Sequence, residues 1–263
     1  DHIVTYRLGR EVLRLPASDA GLRQFKSSAL KSQGVRQLEE AQLPDGSWGR
    51  FHSQDTKTKT RFRTSEEAID RAFALGLGPG NPVLVRARQY ILDALEGRTK
   101  ITDPPEKNEH WSLLVQLILA GRLAQLDPTN PALESYWTYW VEVARQAFTS
   151  GNYRLEDEAA AYPRLSGIHA PQGYLESQHA LWILSSRKLP TQLDRALVHW
   201  IWNKPDGIRY LRVRIADPPP RLIGYWLRSM NILSSFASWR ELTVDVLNNL
   251  WRQRDEDGLW DYG

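Results

Sequence analysis

Apolar residues recur along the chain at helical spacing, and no segment alternates apolar and polar positions between tight hairpin turns. The clearest case is 83–95, where Val83, Ala87, Tyr90, Ile91, Ala94 and Leu95 form one stripe, with Pro82 at the start and Gly97 just past the end. A second helix over 65–76 opens with Thr64 or Ser65 as cap, followed by Glu66 and Glu67 at the positive end of the dipole. The stretch 111–126 is apolar nearly all round, which predicts burial on most sides, and 136–148 follows as its amphipathic partner. Further helices are expected over 175–185, 193–202, 222–233 and 242–252, with one more over about 27–41 ahead of them.

These helices are punctuated at two phases. Gly turns recur at Gly46, Gly97, Gly151, Gly207 and Gly258, in steps of 51, 54, 56 and 51 residues. Between them stand Pro breaks: Leu77-Gly78-Pro79-Gly80-Asn81-Pro82 and Leu126-Asp127-Pro128-Thr129-Asn130-Pro131 share one pattern, and Leu189-Pro190 and the 236–239 segment fall at matching places. Each unit reads helix, short break, helix, Gly turn. Near-wholly apolar helices alternating with amphipathic ones imply an inner and an outer layer, so the stacked hairpins either extend as a solenoid or close into a ring. Neither terminus looks like a polar cap, which favours an all-α fold of about five hairpins closed as an α/α toroid. It would be a single domain over 1–263, with 1–25 as a lead-in.

Two of the Gly turns carry more. Gln42-Leu43-Pro44-Asp45-Gly46-Ser47-Trp48 and Gln253-Arg254-Asp255-Glu256-Asp257-Gly258-Leu259-Trp260 both place a Gln before, and a Trp two residues after, the Gly. In this the chain resembles the terpenoid cyclase and protein prenyltransferase superfamily and its squalene-cyclase repeats. The resemblance extends over the 64–95 helix pair. It implies the α/α toroid, with a ligand in the central cavity. The motif itself is structural: the Gln amide reaches a neighbouring helix start, the Gly takes positive φ, and the Trp closes the corner. The protonating cyclases' Asp-x-Asp-Asp, the ionising synthases' Asp-Asp-x-x-Asp and the prenyltransferases' Cys-containing zinc set have no counterpart here. The scaffold is therefore more legible than any chemistry, and whether the chain is an enzyme stays open.

Composition narrows the classes. The chain has 263 residues, with 34 Lys and Arg against 31 Asp and Glu, a field too weak to argue for nucleic acid. No apolar run approaches the ~18 residues of a membrane span. Zero cysteines remove disulfides, thiolate nucleophiles and every Cys-containing zinc site. No metal or cofactor is expected, and a cytoplasmic location is; a leader removed before Asp1 remains compatible with the sequence.

Candidate chemistry lies in the long loops expected at 49–63, 98–108, 152–171 and 208–220, which with the adjoining Arg221 collect ten of the 26 Arg. Converging on one face, these would form a cationic rim for an anionic ligand; otherwise they are solvated loop cations paired locally. Arg212 and Arg214 alternate along 210–215 and would point to one side if extended. Arg63 and Glu67 flank an inner-helix start, a favourable place for an anion. Glu156, Asp157 and Glu158 crowd three carboxylates upstream of His169. This suits a general acid, with Glu156, Asp157 and His169 the catalytic candidates, and equally suits the first turn of a helix into Ala159-Ala160-Ala161. His110 at an inner-helix start, and Tyr174, Trp182 and Tyr225 among the inner aromatics, complete the substrate-binding candidates. Glu176 and His179 stand one turn apart at a metal-ligand spacing. The expected ligand is an isoprenoid or other large apolar molecule with an anionic head. The alternatives are an acidic saccharide handled by a lyase or hydrolase, and a binding or scaffold protein that kept only the fold.

Overall fold

The computed structural model describes residues 1–53, 61–106 and 110–258, and among these the regular structure is helical. The chain divides into two compact units, Asp1–Glu106 and Lys107–Gly263, and the boundary falls in the loop expected at 98–108. All five Gly of the repeat have positive φ, between 60° and 93°, so the turn phase read from sequence is real.

In the first unit, α1 (His2–Arg7) runs into a π-helical turn (Leu8–Val12) and packs against α2 (Ala20–Leu30) around Tyr6, Leu22 and Ala29. The lead-in is thus a hairpin with its own small core. The helix expected over 27–41 is two helices: α2 stops at Leu30, and α3 (Gln33–Ala41) restarts behind Ser32, whose Oγ accepts from Val35 N. A Ser cap placed there outweighs continuation of the periodic pattern. α4 (Ser65–Ala74) begins at Thr64, whose hydroxyl accepts from Glu67 N, and α5 (Pro82–Leu95) begins at Asn81 with Pro in its first turn. The first Gln–Gly–Trp turn staples them. Gln42 donates to the carbonyls of Gly46 and Val83, both at 2.9 Å, while its own oxygen accepts from Arg86 Nε. Buried Trp48 donates to Leu38 O at 2.9 Å.

The second unit begins with α6 (Trp111–Leu126), buried on nearly every side as its sequence predicts. It packs against α9 (Gln178–Ser185), all but two of whose residues are buried, and α9 packs in turn against α11 (Ile223–Leu233). The α6–α9 approach is close: a Cβ at Gly121 would meet Cβ of His179 at 2.6 Å. The amphipathic helices α7 (Glu134–Ala147) and α10 (Thr191–Asn203) pack against α9 and α7 respectively, and α12 (Thr243–Arg252) follows a 3-10 segment (Ala237–Leu242). One expected loop is not a loop. Residues 152–171 contain α8 (Leu155–Ser166), packed on α7, with Glu156, Asp157 and Glu158 as its acidic first turn. In the second Gln–Gly–Trp turn Gln253 donates to Pro218 O, as a staple should, while Trp260 lies outside the described residues.

Candidate functional site

A cleft of about 560 Å³ opens in the second unit beside the Gly151 and Gly207 turns, between the start of α8 and the segment ahead of α9. Its walls include Tyr153, Gln172, Glu176, Arg209, Tyr210 and Arg212. Tyr153 is fixed from behind by stacking on Trp200, with ring centroids 3.8 Å apart, and from within by its hydroxyl, which donates to Glu158 Oε2 at 2.7 Å.

Glu158 is the polar centre beneath this wall. It is fully buried, and besides Tyr153 it accepts from the Tyr162 hydroxyl, from Tyr174 N at 2.5 Å and from Leu175 N at 3.0 Å. Burial pushes its carboxyl above the ordinary carboxylate range, and those four donors offset part of that rise. Burial and the adjoining Glu158 charge push the Tyr153 and Tyr162 hydroxyls up, so both remain donors at neutral pH. Gly173 sits where only hydrogen fits, since an added Cβ would lie 2.6 Å from Tyr153 Oη and 3.0 Å from Glu158 Oε2.

The opposite wall is a tightly wound loop. Tyr210 and Arg212 both hold left-handed backbone, with φ of 69° and 50°, a conformation that non-Gly residues adopt at a cost and that clusters at ligand sites. Arg209 anchors the loop: its N–H donates to Glu176 O at 2.8 Å, its guanidinium donates to Gly173 O at 2.7 Å, and it lies 5.4 Å over the Tyr174 ring. Lys204 joins the cleft's two acids, 3.0 Å from Glu176 Oε2 and paired with Asp206. Burial opposes the Lys204 charge, but the two carboxylates outweigh it and its pKa rises. The cleft therefore offers two aromatic faces, an amide, an acid pair bridged by one lysine and two guanidinium groups.

The residues singled out from sequence distribute unevenly around it. Arg212 lines it, as does Glu176. Arg214 is exposed like Arg212, and Leu211, Val213 and Ile215 between them are buried, so the alternation holds; the extended backbone expected there does not, because Arg212 closes a turn onto Ile208 O. Arg214 is not among the lining residues. Glu156 and Asp157 pair loosely with Arg154, at 3.8 and 3.7 Å, on the outer side of the α8 first turn, and His169 is exposed beyond the end of α8. Tyr174 and Trp182 are buried; Tyr174 accepts from His110 N, and Trp182 lies 4.9 Å under the buried Arg122. Tyr225 is 52% exposed on α11 rather than facing inward. Arg63 and Glu67 belong to the first unit, where the Glu67 carboxylate accepts from Arg63 N at 2.8 Å and serves the α4 start. His179 packs edge-on against Trp182, and among the described residues no group of three acids or imidazoles could hold a metal ion.

The decisive group missed in sequence is Glu158, third of the acidic triplet. The only signal available was helical register, since Glu158 and Tyr162 share a face at i and i+4. No protein-family model, curated protein or solved structure matches the chain. No helix among the described residues is long and apolar enough to cross a membrane.

Proposed function

We propose that the second unit binds an acidic saccharide in the cleft between Tyr153 and Tyr210, on a scaffold of the α/α-toroid type. The carrying observation is the make-up of this one cleft. Tyrosine faces suit the apolar faces of sugar rings, the Gln172 amide and the Glu176–Lys204–Asp206 group suit hydroxyls, and Arg209 and Arg212 suit a carboxylate. Support for the toroid comes from the inner run α6–α9–α11 with α7 and α10 outside it, and from the Gln42–Trp48 staple.

An isoprenoid with a diphosphate head is the second reading, favoured by an apolar and aromatic groove of about 290 Å³ lined by Leu113, Leu117, Tyr136, Tyr139 and Trp140. That ligand needs its apolar wall and its cationic clamp in one chamber. Among the described residues the groove has no Arg or Lys in its lining, and the arginines stand in the other cleft. The saccharide reading needs no such joining.

The test is a thermal titration of the full chain with an oligogalacturonate and, separately, with farnesyl diphosphate. Oligogalacturonate should raise Tm with concentration, less so as salt rises, and the rise should vanish in Arg212→Ala. Stabilisation by farnesyl diphosphate alone, or an unchanged response in Arg212→Ala, overturns the proposal.

A further inference from the structure

α9 begins beside that cleft at Ser177 and ends at a second one, formed at the Pro-phase breaks of the repeat. This second cleft measures about 510 Å³ and is lined by the segments around Ser185–Leu189 and Ser234–Arg240, with Asp194 of α10. It holds three cations, Arg187, Lys188 and Arg240, against the single acid Asp194.

That acid is already committed. Its carboxylate accepts from Ala237 N at 3.2 Å, from Ser238 N at 2.8 Å and from the Ser238 hydroxyl, which caps the 3-10 segment. Lys188 and Arg240 form no ion pair among the described residues. Arg187 pairs on one side only: Nη2 lies 3.1 Å from Glu134 Oε2, whereas Nη1 is buried without a hydrogen-bond acceptor. The Arg187 guanidinium also lies 5.9 Å over the Trp137 ring, and 26% of its side chain stays exposed. Ser185, Ser234 and Ser235 stand in the same lining, the first two with their hydroxyls donating to Trp182 O and Asn231 O. Phe236 and Trp239 give it an apolar side, with Trp239 braced edge-on against Trp202 at 6.3 Å.

We infer that this second cleft is a binding site for a phosphate monoester. The dianionic head would be met by Lys188 and Arg240 and by the exposed part of the Arg187 guanidinium, and the organic body would lie against Phe236 and Trp239. The apolar side formed by Phe236 and Trp239 beside the cations is why the ligand is an ester rather than the free ion. The site stands on residues separate from those of the saccharide cleft, so either can fail without the other.

Isothermal titration of the full chain with phenyl phosphate, with inorganic phosphate and with vesicles containing phosphatidic acid tests it. Saturable binding of phenyl phosphate is expected, at least about tenfold tighter than inorganic phosphate and weakening as salt rises. Arg187→Gln should weaken it about tenfold or more, as loss of a charge-assisted donor does. Arg240→Gln, at an exposed position that leaves folding intact, should also weaken it, and Arg212→Ala should leave it unchanged. No saturable binding of phenyl phosphate, binding to the vesicles alone, or binding indifferent to both Arg187→Gln and Arg240→Gln overturns the proposal.

Discussion

Each unit has a buried acid that gathers loop backbone, Asp103 in the first and Glu158 in the second, and the two do it differently. In the first unit Asp103 accepts from three successive backbone N–H groups, Phe51, His52 and Ser53, each at 2.6 Å. It keeps 8% of its surface exposed and ties the loop before Glu106 to the one after Trp48. In the second unit Glu158 is wholly enclosed, and its donors are two tyrosine hydroxyls and two N–H groups from a segment sixteen and seventeen residues away. Asp103 answers a loop that already presents a row of donors, a local device like an anion nest. Glu158 brings together groups from three segments and is withdrawn from water in the process. An acid that serves one loop can be lost locally, whereas one that joins several segments is tied to the packing of the whole wall.

The sharpest way to break this comparison is Glu158→Ala. It would leave the Tyr153 and Tyr162 hydroxyls and the Leu175 N–H without this acceptor, with Tyr174 N–H keeping Tyr162 Oη at 3.2 Å, and each buried donor so orphaned costs about 1–3 kcal/mol. Urea unfolding should show that loss together with weaker ligand binding, because Tyr153 would lose its anchor. A loss under about 1 kcal/mol would mean that water reaches the site and that the enclosure is not what matters.

Asp103→Ala should cost less, about 1.5–3 kcal/mol, as expected for hydrogen bonds to a charged group near the surface. The damage should stay local: hydrogen exchange should quicken at Phe51, His52 and Ser53 while the α4 and α5 amides keep their protection. Global exchange at the unfolding limit would erase the distinction between the two acids.

The same contrast explains what could be read from sequence. Turns and caps are local, so the five Gly turns, the Thr64 cap and the Gln42 and Trp48 contacts within their own turn follow from residues close in the chain. The all-round burial of α6 follows from its apolar surface alone. Glu158 could not be separated from Glu156 and Asp157 by composition, since only packing against Tyr162 and Tyr174 distinguishes it. α8 was half legible: 152–171 read as a loop, yet the acidic run ahead of Ala159-Ala160-Ala161 already suited a helix's first turn, and contacts with α7 hold it helical through Pro163. Arg212 was legible as a loop cation, but its turn onto Ile208 depends on Gly207, where an added Cβ would sit 2.2 Å from Val213 O.

The smallest effect is a dependence on pH, and it sharpens the comparison because it separates the two units. His52 Nδ1 pairs with Glu66, and its Nε2 lies 3.7 Å from Glu106 Oε1. Burial opposes the imidazolium, but the Glu66 hydrogen bond and the charges of Glu66, Glu106 and Asp103 outweigh it, so the His52 pKa rises above its ordinary 6.5. A raised value means that the folded state holds the proton longer than the unfolded one. The resulting stabilisation is complete below pH 6.5 and is lost as pH climbs through the folded value. Glu158 is also raised, from an ordinary 4.5, so its contribution begins to fall in a more acid window. The difference between the parent chain and His52→Gln removes the Glu158 part and isolates the imidazole. That difference in Tm should be larger at about pH 6 than at about pH 9, and it should shrink in 1 M salt only modestly, since the pair is largely buried. An equal Tm difference at both pH values would show that His52 acts as a neutral hydrogen-bonding ring. The first unit would then draw no charge-dependent contribution from the His52 ring.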